Sequence, residues 1–406
     1  MNKQDPLYTL HQDIEIPKIV QQKAQEAFDQ IYFTEESKTN CRKTISVSNR
    51  RSKNNFKFFR RKIMAAAAAT VFTFTTIGVA AAYFNWSTSL SEILHTTKEQ
   101  RTQLESNHMA SFVNQSCTDQ GITVTAMQCI TDNYYTHIAF KVEGFEVPDG
   151  VQPDFEDIDI TVGDTKEFNM NASFYDGLIQ GEDGSAVYAD KEKAASEEKV
   201  VSCYVMDDGS MEYQITLANT KEKGYFINQP IHVVLKNLGP VSKTVYTNEI
   251  DGTWTFDWNL EGSEEVVQYT INVPLGDTGA TVVNAEISPI SIQAELQFPM
   301  QLETETYINE NGQETAVSFY AEPPELTGVK MKDGTLYPFI YLGPGTEGYQ
   351  SEDSDLYQIS FAVDRILDID QIESLLFLNP DSQDSSAPED KFFEVPLESS
   401  AVDSNS

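Results

Sequence analysis

Several of the spacings that announce common catalytic or nucleotide sites do not occur in this chain: HExxH, GxSxG and the P-loop are all missing. Histidine is scarce, with five residues in 406, which leaves little material for acid–base or metal chemistry. His137 and His232 fall on the polar side of alternating patterns and read as exposed strand residues without a role. Cysteine is limited to four residues. Cys41 has no CxxC neighbour, and the odd remainder of Cys117, Cys129 and Cys203 builds no complete disulfide framework, although one Cys117–Cys129 pair stays open. An enzyme is therefore the least favoured class, and no catalytic residue, cofactor or metal is expected.

Positive charge is also in short supply, and unevenly so. Residues 1–62 hold 13 Lys and Arg against 7 Asp and Glu, whereas residues 85–406 hold 15 against 56. Between them residues 63–84 carry no charge over 22 positions. As a helix rising ~1.5 Å per residue this run would reach ~33 Å, about the hydrocarbon thickness of a bilayer. The 62 residues before it argue against a cleaved signal peptide, and the change of charge across it argues against a buried soluble helix. Residues 42–62 contain nine basic and no acidic residues, among them Arg50, Arg51, Lys53, Lys57, Arg60, Arg61 and Lys62. Basic residues beside an apolar segment stay on the cytoplasmic side. The expectation is a single-pass cell-membrane protein, N-terminus cytoplasmic and acidic bulk extracytoplasmic, with the basic block against lipid headgroups. So acidic an external part repels nucleic acid, which is not expected as its partner.

The cytoplasmic segment has one structured candidate. Ile16, Val20, Ala24, Ala27, Phe28 and Ile31 recur at three- and four-residue intervals and form one apolar stripe on a helix beginning near Pro17. With no second element to cover it, that stripe is the candidate partner-binding surface; the plainer reading packs it on its own flanks or on the membrane.

Beyond the span, the stretch from Ser87 to Met109 reads as helical in places, and then the period changes to two. Ile122, Val124 and Ala126, then Ile138, Phe140 and Val142 across the turn "TDN", predict a hairpin with one buried face. Ile231, Val233 and Leu235, and then Trp254, Phe256 and Trp258, continue the pattern. The Trp and Phe stripe is read as core in preference to a sugar platform. Around Ser288-Pro289 the apolar parity shifts, as at an edge or bulge. Asn311-Gly312 and Asp333-Gly334 predict hairpin turns, and "LDIDQIESLLFL" a helix of one or two turns capped by Asp368. The acidic clusters "PDFEDIDI" and "MDDGSME" lack calcium-loop spacing and read as solvated surface.

The resulting fold class is mainly β, with extracytoplasmic β-sandwich-like domains preceded by one transmembrane α-helix and a short cytoplasmic amphipathic helix. The expected domains are a cytoplasmic segment 1–62, a span 63–84, a membrane-proximal β domain 85–274, a second β domain 275–396 and a tail 397–406. The span followed by "GITVTAMQCITDNYYTHIAFKVEGF", "DGTWTFDWNL", "ISPISI" and "MKDGTLYPFI" resembles the domain of unknown function 4179 family of Gram-positive bacteria, over roughly residues 60 to 390. Members of that family are often encoded beside extracytoplasmic-function sigma factors and are regarded as anti-sigma factors. The resemblance implies a cytoplasmic segment that holds a sigma factor and external domains that receive a signal from an unknown ligand or protein. This chain lacks the His-Cys-Cys zinc motif of many anti-sigma domains. The alternative is a cell-surface binding or structural protein with no transcriptional role, in which the cytoplasmic stripe would be dispensable.

Overall fold

The computed structural model describes residues 86–397 apart from 149, 182–183, 191–199, 309–313, 352–353 and 383–387. The expected cytoplasmic helix, the basic block and the apolar run 63–84 therefore lie outside the described residues, and so does the Asn311-Gly312 turn. Among the described residues no helix is long and apolar enough to cross a membrane.

Two short helices come first, α1 (Thr88–Ile93) and α2 (Lys98–Ser106). Ser87 caps α1 through the Leu90 amide. Thr97 and Gln100 form a reciprocal capping box at the start of α2. Everything after them is mainly β, and every ladder is antiparallel. The first sheet has the order β1 (Ala110–Asp119), β2 (Ile122–Thr131), β3 (Tyr135–Glu143), β8 (Met211–Ala218) and β5 (Asn169–Phe174). In the second, β9 (Pro230–Ser242) pairs with β4 (Gln152–Val162), β10 (Val245–Tyr246) and β11 (Ile250–Asn259). A short ribbon of β6 (Leu178–Gln180) and β7 (Ala186–Tyr188) lies in the intervening chain.

The alternating patterns lead where burial demands. Val124, Phe140 and Ile215 from the first sheet and Val233, Trp254 and Phe256 from the second share one apolar core. The Trp254 indole N–H, which cannot be left unpaired there, donates to the Ile122 carbonyl at 3.1 Å. Trp258 packs partly buried against the same core. This is the core reading of the aromatic stripe.

The hairpin of β2 and β3 turns at residues 132–134, as expected, but it is not one-faced. Its other side carries Ile130, Tyr135 and Ala139 into a second cluster with Leu90, Leu94 and Leu104 of the helical segment and with Ile290, Ala362 and Ile366. His137, expected at an exposed strand position, is consequently buried, 1% exposed. Its cover comes from residues far away in sequence, which strand periodicity does not register. His232 does face solvent, and its Nδ1 lies 2.7 Å from Asp257.

The third sheet runs β12 (Val267–Pro274), β13 (Thr281–Ile287), β14 (Ser291–Gln297), β20 (Leu356–Val363) and β19 (Tyr341–Tyr349). β12, which the sequence placed at the end of the first β domain, thus pairs with β13 in the third sheet. The fourth sheet has the order β18 (Leu336–Tyr337), β17 (Leu326–Met331), β21 (Ile372–Leu378) and β22 (Phe392–Pro396). Ser288-Pro289 makes the tight turn between β13 and β14, with the Ser288 amide on the Ser291 carbonyl at 2.9 Å, so the parity shift is a hairpin reversal and not a bulge. The helix expected after Asp368 is one 3-10 turn, Ile369–Gln371, without a side-chain cap bond. The apolar run behind it is strand β21, because both ladder partners are supplied from elsewhere in the sheet. Asp333-Gly334 turns as expected, Gly334 at φ 88°.

Between Met300 and Glu322, β15 (Leu302–Ile308) and β16 (Glu314–Tyr320) pair as a two-stranded hairpin outside the unit that holds the other described residues. Leu302, Val317 and Phe319 are exposed on it.

Candidate functional site

The first described residues after the apolar run are built into the β structure rather than laid over it. Helix α1 begins with amides that have no intrahelical acceptor, and its N-terminal dipole favours negative charge. Glu212, on β8 and 3% exposed, meets both demands. Its carboxylate accepts from the Thr88 amide at 3.0 Å, the Ser89 amide at 2.9 Å, the Ser87 hydroxyl at 2.5 Å and the Ser89 hydroxyl. The Ser87 amide donates to Gln128 Oε1 at 3.1 Å on β2. Three consecutive residues, Ser87 to Ser89, therefore hold the entering chain to the middle of the first sheet. The next outward, Trp86, donates its indole N–H to Glu105 at 2.5 Å and lies under the Arg101 guanidinium, 5.6 Å from the ring centroid.

From α1 the connection continues in two directions. Glu92 accepts from the Tyr175 hydroxyl at 2.5 Å; burial and that carboxylate together push the phenol well above its ordinary pKa. The Leu94 carbonyl accepts from the Ile366 amide at 3.0 Å, and Gln100 Nε2 donates to the Ile366 carbonyl at 2.9 Å, beyond the end of β20. The helical segment thus ties the first sheet to the third.

Asp132 makes a second buried node. Its Oδ1 accepts from the amides of Tyr134 and Tyr135, both at 2.8 Å, which fixes the "TDN" turn as an Asx turn. Its Oδ2 accepts from the hydroxyls of Ser288 and Ser291, both at 2.5 Å, on the turn of "ISPISI". Burial pushes this carboxyl up from its ordinary pKa, against the four hydrogen bonds that favour the ion. Beside it the Tyr135 hydroxyl meets Ser360 Oγ at 3.1 Å. Between the two nodes His137 bonds Thr216 through Nδ1 at 3.0 Å, and burial holds its pKa down to about 4.

These groups hold separate strands together; they do not form a nucleophile with its base. Among the described residues no three His, Cys, Asp or Glu side chains are grouped to hold a metal ion. In the two acidic clusters Asp157 pairs with Lys236 at 2.7 Å and Asp208 with Lys141 at 3.0 Å at the surface, but Glu212, the last residue of "MDDGSME", is buried, because the start of α1 covers it. Cys117, Cys129 and Cys203 are all free thiols. The sequence-derived partner stripe, Ile16 to Ile31, and the basic residues Arg50 to Lys62 lie outside the described residues. Neither Glu212 nor Asp132 was singled out as a buried group in the sequence. Asp132 left a trace, the turn tripeptide, while Glu212, at the end of the acidic cluster "MDDGSME", reads as solvated surface.

Residues 53–144 match the family described as Domain of unknown function (DUF4179), the family the sequence resembles. That match runs from the basic block through α1, α2 and the first hairpin. Among solved structures, a protein described as the conserved domain protein from Bacillus anthracis is similar at 14% identity, covering 68% of this chain and 79% of that one, with a TM-score of 0.38. A structure described as BspA_C_mut is similar at 12% identity over 60% of this chain and 81% of that one, with a TM-score of 0.09. Neither likeness is close enough to carry an argument about fold or function. No curated protein matches.

Proposed function

We propose that this chain, with its DUF4179 match across residues 53–144, is a membrane-anchored regulatory protein: an anti-sigma factor that holds an extracytoplasmic-function sigma factor through the stripe at Ile16, Val20, Ala24, Ala27, Phe28 and Ile31. Residues 63–84 span the membrane, and two external β-sandwich domains receive the signal. The observation that carries this reading is the buried attachment of residues 87–89 to Glu212, directly after the apolar run. A domain that merely decorates a surface can hang from a loose linker. A domain that must pull, turn or release its membrane segment needs a stiff joint at this place. Each hydrogen bond to a charged acceptor contributes about 1.5–3 kcal/mol, so the joint is firm against thermal opening yet within reach of the few kcal/mol that differential ligand binding supplies.

The test is a pull-down of the tagged full chain from native membranes beside a Val20→Asp/Phe28→Asp variant, with mass spectrometry of what accompanies each. A sigma factor retained by the first and lost from the second supports the reading. If neither retains one, the chain is a surface-binding protein and the cytoplasmic stripe has another use.

A further inference from the structure

The outer face of the third sheet, opposite its apolar core, is neither charged at random nor merely wet. Gln268 on β12, Glu286 on β13 and Gln293 on β14 stand in register across three strands. Beside them Thr270, Asn284 and Glu295 form a second row. The rows floor a groove of about 430 Å³, walled on one side by Tyr134 and Lys223. That volume falls in the range of ~300–1,000 Å³ typical of small-molecule sites.

The side chains of the groove hold one another in place. Lys223 Nζ reaches both oxygens of Glu286, at 3.0 and 2.8 Å, and Gln268 Nε2 donates to the same carboxylate at 2.8 Å. Asn284 Nδ2 and Gln350 Nε2 each donate to Glu295, both at 2.9 Å. Such mutual support lowers the ordering cost of binding. It also fixes the chemistry on offer. Each amide presents donor and acceptor side by side, each carboxylate accepts with its remaining lone pairs, and Thr270 does both. Anions are disfavoured by two carboxylates against one lysine, and an apolar ligand would strand the amides unpaired. A compact cation gains little, because Glu286 is already neutralised by Lys223.

We propose that this groove binds a neutral saccharide. Vicinal hydroxyls donate and accept in pairs, as the amide and carboxylate rows do, and Tyr134 gives the lining its apolar part. The groove adjoins the Asp132 node: Tyr134 lines it, and the Tyr134 amide bonds Asp132 at 2.8 Å. A sugar seated there touches both β domains at their junction. As a statement of what the external domains sense, the inference rests on the regulatory reading above; as a binding site it stands by itself.

The test is isothermal titration of the purified full chain in detergent with chitotetraose, cellotetraose and maltotetraose, and with a heparin tetrasaccharide as the anionic control. The expected result is saturable binding of at least one neutral probe with a Kd of about 1 mM or tighter, and none of the anionic one. Asn284→Ala with Glu295→Ala should weaken that binding at least tenfold while the thermal unfolding curve stays cooperative; Gln268→Ala with Gln293→Ala, a second pair on the same face, should do likewise. Absence of binding for all three neutral probes, preference for the heparin fragment, or undiminished affinity in both paired variants each overturns the proposal. Binding of a neutral probe by a chain that retains no sigma factor would leave the site standing and remove the regulatory reading; the reverse pattern would do the opposite.

Discussion

Ser89 and Glu212 lie 123 residues apart and are joined twice, by the Ser89 amide at 2.9 Å and by its hydroxyl, both donating to one carboxylate oxygen. This puts the first turn of the chain beyond residue 85 under the control of a strand in the middle of a sheet.

Replacing Glu212 by Gln should loosen that joint without disturbing the core around it. The amide keeps one acceptor and turns a donor towards amides that also donate, so we expect a loss of about 2–3 kcal/mol. Hydrogen exchange of peptides spanning residues 86–94 should quicken far more than that of the β11 region. Equal quickening throughout would mean that Glu212 acts on global stability and not on the joint.

At Asp132 the contrast between two variants is informative. Asp132→Asn keeps Oδ1 for the Tyr134 and Tyr135 amides, and its new N–H groups can be accepted by the Ser288 and Ser291 hydroxyls. Asp132→Ala strands two buried amides and leaves the Ser288 and Ser291 hydroxyls only each other, at 3.1 Å. Urea unfolding should place the alanine variant at least ~2 kcal/mol below the asparagine one.

Acid should weaken the fold through His137. Its folded pKa, about 4, is below the ordinary 6.5, because burial penalises the imidazolium. The unfolded chain therefore binds the proton first, and stability is complete above pH 6.5 and is lost as pH falls towards 4, by about 3 kcal/mol over that window. His137→Asn, which offers Thr216 a similar polar atom, should flatten that part of the stability–pH curve.

Gly328 on β17 leaves no room for a side chain, since a Cβ there would stand 1.8 Å from the Tyr337 carbonyl oxygen. The clash is with backbone, which cannot swing aside. Gly328→Ala should cost at least the ~1–3 kcal/mol typical of overpacking, visible as a lower melting temperature. Gly279→Ala, where nothing lies within 4 Å but φ is positive, should cost about 1 kcal/mol by strain alone.

The thiols should divide by burial. Cys129 is pushed up to about 12, chiefly by burial, and should resist alkylation at neutral pH until the chain unfolds. Cys117 and Cys203, both partly exposed, should react in the native state. Peptide mapping after brief iodoacetamide treatment checks this.

How much of this was legible in the sequence follows from where each element finds its cover. Trp254 and Phe256 were readable as core because a strand buried on one face writes its environment into every second residue. The "TDN" turn and Asp333-Gly334 were readable because turn chemistry is local. His137 was misplaced because the side of β3 that carries it is covered by Leu90, Leu94 and Ile290, which no local pattern links to it. The run behind Asp368 looked helical because a buried strand and a short apolar helix share composition, and only the ladders to β17 and β22 decide between them. The polar rows of the third sheet read one strand at a time as ordinary solvent-facing residues; their alignment exists only in the register.

Asp132 has a last consequence, for inheritance. One carboxylate serves a turn of the first sheet and a turn of the third, so a gene cut or recombined between codons 260 and 267 would yield a front half whose Asp132 keeps only the Tyr134 and Tyr135 amides and a back half whose Ser288 and Ser291 have lost that acceptor. Neither piece is a ready-made module for another protein, and descent should keep the pair on one reading frame.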